Sequence, residues 1–146
     1  MTDHFQSPGP DPYAHLRAHL AKVPEPAFKG LWCTVELQPD LFARQKFSVG
    51  IVVTDEQAVV QSACMVEDLK ALSGVYPADV LQHLEHDLAS AARTLKAAKR
   101  KKTHMCMVGF DTERLSTTDL WATAGESAEK IAQRLLEETV PLGRKS

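Results

Sequence analysis

The chain lacks the short motifs that commonly mark an enzyme. It contains no G-x-S-x-G nucleophile turn, no phosphate-binding glycine loop and no H-E-x-x-H metal motif. Glu67 and Asp68 are adjacent carboxylates, but neighbours in sequence do not face each other on a helix, and acid–base catalysis needs carboxylates that do. We therefore predict a protein that is not an enzyme, with no catalytic residue, no metal and no cofactor.

Cysteine is scarce, and long apolar runs are absent. Cys33, Cys64 and Cys106 are an odd number without a C-x-x-C pair, which argues against a disulfide framework. No apolar run of signal-peptide type occurs near the N-terminus, and stretches such as residues 49–53 are far shorter than the roughly 18 residues of a membrane helix. We expect a cytoplasmic protein without membrane contact.

A broad positive charge is also missing, since the formal net charge is −2. This excludes a protein that coats nucleic acid, because such proteins need a widely basic surface. The composition, 44% hydrophobic and 25% charged, suffices for one core. We expect residues 1–10 to form a disordered leader, residues 11–141 a single α+β domain, and residues 142–146 a short tail.

The first half of the chain predicts a short helix and then three strands. Asp11 and Pro12 are helix-start signals, and the prolines that follow Val23 end the helix. Residues 31–37, 47–53 and 58–66 have the β-rich or alternating pattern of strands, the last two as a hairpin. Gly50 in mid-strand indicates a bulge or a close neighbour, either a ligand or a side chain.

The second half predicts two helices around one more strand. Residues 77–102 form the clearest pattern, an apolar stripe at intervals of three and four, and residues 104–110 are predicted as a fourth strand. The stripe consists of Leu81, Leu84, Leu88, Ala91, Leu95 and Ala98. Thr123 and Glu126 fit a capping box before a C-terminal helix that begins near Ala128.

Together these elements predict an α+β fold. A three-strand meander plus a fourth strand forms a small antiparallel sheet, covered on one face by the long helix and the C-terminal helix. The same apolar spacing is also that of a coiled-coil heptad, although only about three heptads are available. Packing of the stripe on the sheet is favoured. Formation of a homodimer through the stripe is the alternative.

The long helix ends in a cluster of cations. Residues 36–87 carry a net charge of −6, with nine acidic and three basic residues, whereas the helix end is basic without an acidic residue. The cations are Arg93, Lys96, Lys99, Arg100, Lys101 and Lys102. Three explanations apply: a solvated face favoured by the helix macrodipole, an acidic protein partner, or nucleic-acid phosphates. These six are the candidate partner- or nucleic-acid-binding residues.

Two weaker patterns contain residue types that chemical sites use. Asp79, His83, His86 and Asp87 fall on the predicted polar face of the long helix, and the spacing of His83 and Asp87 suits a shared metal. Surface side chains of these types more often face water. His104 and Cys106 point the same way on the predicted fourth strand, but the neighbouring Met105, Met107, Val108 and Phe110 favour a core strand over a nucleophile. Neither pattern changes the prediction.

Residues 45–53, Gln-Lys-Phe-Ser-Val-Gly-Ile-Val-Val, and residues 66–72, Val-Glu-Asp-Leu-Lys-Ala-Leu, resemble the bacterial DUF3037 family of uncharacterised proteins. The family's run is acidic-aromatic-x-Asn-Val-Gly-Val, followed by a second strand and a helix start rich in Asp and Leu. Here Ser48 replaces the asparagine and Gln45 the acid. The resemblance implies a small bacterial cytoplasmic protein without established catalysis, sometimes encoded beside a kinase-like toxin component.

The preferred hypothesis is a non-enzymatic accessory protein, such as an adaptor, an inhibitor or an antitoxin-like subunit. It would dock on a larger protein partner through its charge-polarised surface. The alternative is an accessory protein that contacts nucleic acid through the basic end of the long helix. A small enzyme with a site built from scattered residues is the third hypothesis.

Overall fold

The structure, a computed structural model, describes residues 13–14 and 25–143. This part of the chain contains five strands, two α-helices and three short 3-10 helices. In chain order the strands and α-helices are β1 (Phe28–Leu37), β2 (Phe47–Thr54), β3 (Val60–Met65), α1 (Ala78–Lys101), β4 (Leu115–Thr117), β5 (Trp121–Gly125) and α2 (Ala128–Thr139). The 3-10 helices are Lys70–Leu72, Met105–Met107 and Pro141–Gly143.

The five strands form one antiparallel sheet. β1, β2 and β3 are a meander, and the far side of β1 pairs with both β4 and β5. β4 pairs with residues 35–37 of β1, and β5 pairs with residues 28–32. Helix α1 packs against β3, and α2 packs against β2, β3 and β5. The predicted α+β fold, a small antiparallel sheet with two helices against it, is therefore confirmed.

The predicted hairpin forms around Asp55. The Asp55 carboxylate accepts hydrogen bonds from the backbone N–H groups of Gln57 and Val59, both at 2.9 Å. Ala58 completes the turn with a φ of 64°. An aspartate that bonds the backbone two residues ahead is a common turn device, and here it fixes the register of β2 against β3.

Strand β2 is the centre of the core. Residues 49–54 are all buried, so the alternation that predicted the strand does not describe its burial. Gly50 lies against the side chain of Met65, which occupies the place that a Cβ atom would need. The register of β1 against β2 also shifts beside Gly50, between Val35 and Glu36. The close neighbour predicted for Gly50 is therefore a side chain, that of Met65.

The predicted strand at residues 104–110 is wrong. Only His104 makes a bridge, to Val59, and the chain then turns into the 3-10 helix Met105–Met107. The turn forms because the Nδ1 atom of His104 accepts the backbone N–H of Cys106 at 3.1 Å. The predicted core character of this segment holds for Met105 but not for Cys106 or Met107, which are exposed. The fourth strand is β4 instead, and the sequence did not predict β5.

The apolar stripe of α1 is buried as predicted. Five members of the stripe are buried and Leu81 is half-buried; the buried ones are Leu84, Leu88, Ala91, Leu95 and Ala98. They belong to the same hydrophobic cluster as the strands. Packing of the stripe on the sheet is therefore confirmed.

The C-terminal helix α2 is also confirmed, with a different cap. Its N-cap is Ser127, whose Oγ atom accepts the backbone N–H of Lys130 at 3.2 Å. The predicted capping box of Thr123 and Glu126 is wrong because Thr123 is paired in β5.

Several predicted segments lie outside the described residues. The leader, residues 1–10, lies wholly outside them, and so does nearly all of the helix predicted from Asp11. Of the predicted tail, Leu142 and Gly143 belong to the last 3-10 helix, and residues 144–146 are not described. Within the described ranges, no helix has both the length and the apolar character needed to cross a membrane.

Candidate partner-binding site

The solvent side of α1 carries three cations in a row. Arg93, Lys96 and Arg100 are spaced by three and four residues, which places them on one side of a helix with 3.6 residues per turn. All three are exposed, and Leu95 lies among the buried residues on the opposite side. We call Arg93, Lys96 and Arg100 the basic ridge. Their Cα atoms span about 10 Å along the helix, from a rise of 1.5 Å per residue.

Lys99 stands apart from the ridge because it has an acidic partner. Its Nζ atom lies 3.2 Å from Oε1 of Glu129 in the first turn of α2. The pKa of Glu129 is lowered, first by its own backbone N–H and then by Lys99. Both side chains are about half exposed, so the pair adds little stability. It does place the end of α1 beside the start of α2.

The end of α1 is fixed by its backbone. Lys102 adopts the left-handed conformation, with φ 51° and ψ 52°. Its N–H donates to the carbonyl of Lys99 at 3.3 Å, and the N–H of Thr103 donates to the carbonyl of Ala98 at 2.9 Å. These two bonds form a Schellman motif, which usually has glycine at the left-handed position. Lys101 and Lys102 are therefore held at a defined helix end.

We expect Lys102→Gly to raise the free energy of unfolding by about 0.5 kcal/mol, because glycine adopts the left-handed conformation without the steric cost that lysine bears. Lys101→Gly is the matched control: it removes the same charge from a right-handed helical position and should destabilise the protein by up to about 1 kcal/mol. Urea denaturation measures both changes. Equal effects of the two substitutions would contradict the assigned helix end.

All six predicted site residues are exposed. Apart from Lys99, their side chains make no ion pair or hydrogen bond with any residue in the described ranges. Lys99, Arg100 and Lys101 lie in the last turn of α1, where cations stabilise the negative end of the helix macrodipole. The structure thus exposes all six along the second half of α1 and at its end, and five of them have no side-chain partner among the described residues.

The other end of α1 has a different character. Asp79, His83 and His86 line an open concavity of about 550 Å³ together with Val80 and Gln82. Asp87, predicted on the same polar face, is instead buried, with 7% of its surface exposed. Among the residues that the structure describes, no group of three or more His, Cys, Asp or Glu side chains is arranged to hold a metal.

Asp87 is buried because Arg114 pairs with it. The Nε and Nη2 atoms of Arg114 lie 2.7 and 3.2 Å from the two carboxylate oxygens of Asp87. The hydrogen bond to Asp87 raises the pKa of Arg114, and burial opposes this rise. The pair links the middle of α1 to the start of β4. The sequence analysis did not predict this pair. The only indication that Asp87 is buried is its position next to Leu88, at the border of the apolar stripe.

The three cysteines differ in burial: Cys33 is buried, Cys64 is half-buried and Cys106 is exposed. Burial raises the pKa of Cys33 to about 11, and burial, with a smaller effect of Glu137, raises the pKa of Cys64. Both thiols are therefore protonated at neutral pH and poor nucleophiles. Cys106 is exposed, but the Nδ1 atom of His104 bonds the backbone N–H of Cys106. The Nδ1 atom of His104, the histidine nearest to Cys106 in the sequence, is thus already used in the turn.

Comparison with protein-family models, with curated proteins and with solved structures finds no significant match. The resemblance to the DUF3037 family stays a prediction.

Proposed function

We propose that this protein is a non-enzymatic accessory protein of the cytoplasm, an adaptor, inhibitor or antitoxin-like subunit, which docks on a larger protein through the basic ridge. The observation that carries the proposal is the exposure of Arg93, Lys96 and Arg100 on one side of α1, without an acidic partner among the described residues. The buried stripe anchors the helix, so the ridge presents its charges on a rigid element. Its partner would carry a complementary acidic patch.

The size of the ridge favours a protein partner over nucleic acid. It spans about 10 Å, and exposed Asp79 lies about 20 Å from Arg93 towards the start of the same helix, from the helical rise. A duplex that follows α1 beyond the ridge would bring its phosphates towards this carboxylate and that of Glu85, which is also exposed. A protein can instead place its acidic residues opposite the ridge alone.

Contact with duplex nucleic acid is the second candidate, and the spacing of the three cations in the ridge is the observation behind it. Arg93, Lys96 and Arg100 are spaced so that three adjacent cations could meet phosphates along one strand. With three phosphate contacts, affinity for a duplex should fall about 40-fold between 50 and 200 mM salt. Binding that is absent, or insensitive to salt, would reject this candidate.

The proposal is tested with two triple variants of equal charge. Arg93→Glu, Lys96→Glu and Arg100→Glu reverse the ridge, whereas Arg44→Glu, Lys46→Glu and Lys70→Glu reverse three exposed cations elsewhere. Each variant protein is immobilised, and proteins captured from an extract of the native host are quantified by mass spectrometry. We expect a partner that binds wild type and the second variant but is lost with the ridge variant.

The controls separate location from total charge. Both triple variants change the net charge by the same amount, so a general electrostatic effect would weaken capture by both. Nuclease treatment of the extract separates a protein partner from one bridged by nucleic acid. Absence of any protein whose capture depends on the ridge would contradict the proposal.

A further inference from the structure

The outer edge of β5 has no neighbour among the residues that the structure describes. β5 pairs with β1 on its inner side, through residues 121–125 against 28–32. The opposite edge of the sheet, β3, is partly covered, because Val60 donates its N–H to Thr103 and Val59 forms a bridge with His104. Unpaired N–H and C=O groups on a sheet edge are a template for another strand.

The edge also lacks the residues that usually protect it. Residues 120–125, Leu-Trp-Ala-Thr-Ala-Gly, include no charge and no proline. Charged side chains and prolines are the common means of preventing edge-to-edge pairing. Trp121 is 62% exposed, and Leu120, Ala122 and Ala124 are exposed as well. The β5 edge is thus uncharged and partly apolar, and no strand of the described residues covers it.

We propose that two copies of this chain pair through their β5 strands, antiparallel and around a two-fold axis at Thr123. In this register Trp121 lies opposite Gly125 of the second copy, and Ala122 lies opposite Ala124. Thr123 lies opposite its own equivalent. A two-fold axis normal to the sheet keeps opposite residues on the same face, as a continuous antiparallel sheet requires. The register that is centred on Thr123 pairs every residue of β5.

The opposed side chains fit one another. Gly125 lacks a side chain, and the space next to its Cα atom is filled by Ile131 of α2. The large ring of Trp121 would therefore lie opposite a residue without a side chain in the second copy. The alanine pairs are small, a threonine pair is favourable across strands, and no like charges are opposed. This self-complementarity is why we assign the edge to a second copy of the chain.

The dimer should be weak. Pairing of two five-residue strands falls below the roughly 1,000 Å² of a stable interface, so we expect dissociation in the micromolar range. The inference does not depend on the proposed function, because β5 contains none of the cations of the basic ridge. A dimer would present two ridges to a partner.

The test uses opposite charges at the axis. Thr123→Glu and Thr123→Lys each place like charges directly opposite each other in the dimer. Thr123 is half-buried and paired with Gly30 inside the sheet, so the two variants are also tested together in a mixture. Sedimentation velocity from low to several hundred micromolar should show a dimer for wild type and monomers for each variant. An equimolar mixture of the two variants should dimerise again.

Two comparisons keep the result decisive. Gln57→Glu and Gln57→Lys make the same charge changes at an exposed turn and should leave the wild-type dimer intact. Recovery in the mixture of Thr123 variants shows that both are folded. A wild type that stays monomeric throughout, variants that dimerise alone, or a mixture that stays monomeric would overturn the inference. A monomeric wild type that binds an unrelated extended peptide at β5 would assign the edge to a different occupant.

Discussion

Replacement of Leu95 with alanine is expected to lower the free energy of unfolding by about 3 kcal/mol. Leu95 lies in the buried stripe of α1, with 1% of its surface exposed, and belongs to the same hydrophobic cluster as the strands. Removal of three carbon atoms from such a position loses their transfer free energy and leaves a cavity that the rigid core fills incompletely. Urea denaturation with wild type and variant gives the difference.

Leu81→Ala is the matched control for this change. Leu81 belongs to the same stripe but is half-buried near the start of α1, so the same truncation should cost less than half as much. Neither substitution alters the basic ridge, and the folded variants should keep the affinity of wild type for a ridge-dependent partner. Equal costs for Leu81 and Leu95, or a negligible cost for Leu95, would contradict the packing of α1 on the sheet.

Replacement of Arg114 with alanine should destabilise the protein by about 2 kcal/mol. The substitution leaves the carboxylate of Asp87 buried without its cation, and an uncompensated buried charge is strongly unfavourable. The cost falls below that of a fully buried pair because the Arg114 side chain is 34% exposed and water can partly replace it. Arg114→Lys should be intermediate, since an ammonium group cannot make both hydrogen bonds in the same geometry.

A double replacement distinguishes the pair from simple packing. Asp87→Leu together with Arg114→Leu removes both charges and should return the stability to within about 1 kcal/mol of wild type. Chemical denaturation of Asp87→Leu, of Arg114→Leu and of the double variant completes a thermodynamic cycle. Additive losses would contradict the assigned pair, because they would mean that the two side chains act independently.

Helices α1 and α2 and the first three strands could be predicted because their patterns are local. The stripe that contains Leu84 and Leu88 repeats over nearly five turns, and the strands of the meander adjoin one another in sequence. β4 and β5 could not be predicted because their short runs lack apolar alternation. Both exist through pairing with β1, whose paired residues lie about 80 positions before β4 and about 90 or more before β5. Such pairing depends on the folded sheet and leaves no local pattern.

The segment after α1 shows the opposite error. His104, Cys106 and Phe110 have the alternation of a strand, but a side-chain hydrogen bond from the backbone of Cys106 to His104 turns the chain instead. Local hydrogen bonds of this kind compete with strand pairing. Alternation over a few residues therefore did not suffice to identify a strand.

The sequence predicts which residues form the candidate site, but it predicts only part of their arrangement in space. The six cations follow from the sequence, and the helical repeat places Arg93, Lys96 and Arg100 on one side. The pairing of Lys99 with Glu129 joins residues 30 positions apart, and that of Asp87 with Arg114 joins residues 27 apart. Contacts at such separations depend on how α1 lies against the sheet. The distinction between engaged and available charges therefore required the structure.

The most direct test of the central claim is the affinity of the captured partner for the two triple variants of equal charge. Isothermal titration calorimetry with the purified partner gives the dissociation constants. If the basic ridge is the docking surface, reversal of Arg93, Lys96 and Arg100 should weaken binding at least about 30-fold, or about 2 kcal/mol, relative to wild type. Reversal of Arg44, Lys46 and Lys70 should change it less than about two-fold. Equal weakening by both variants, or no weakening by the ridge variant, would contradict the account.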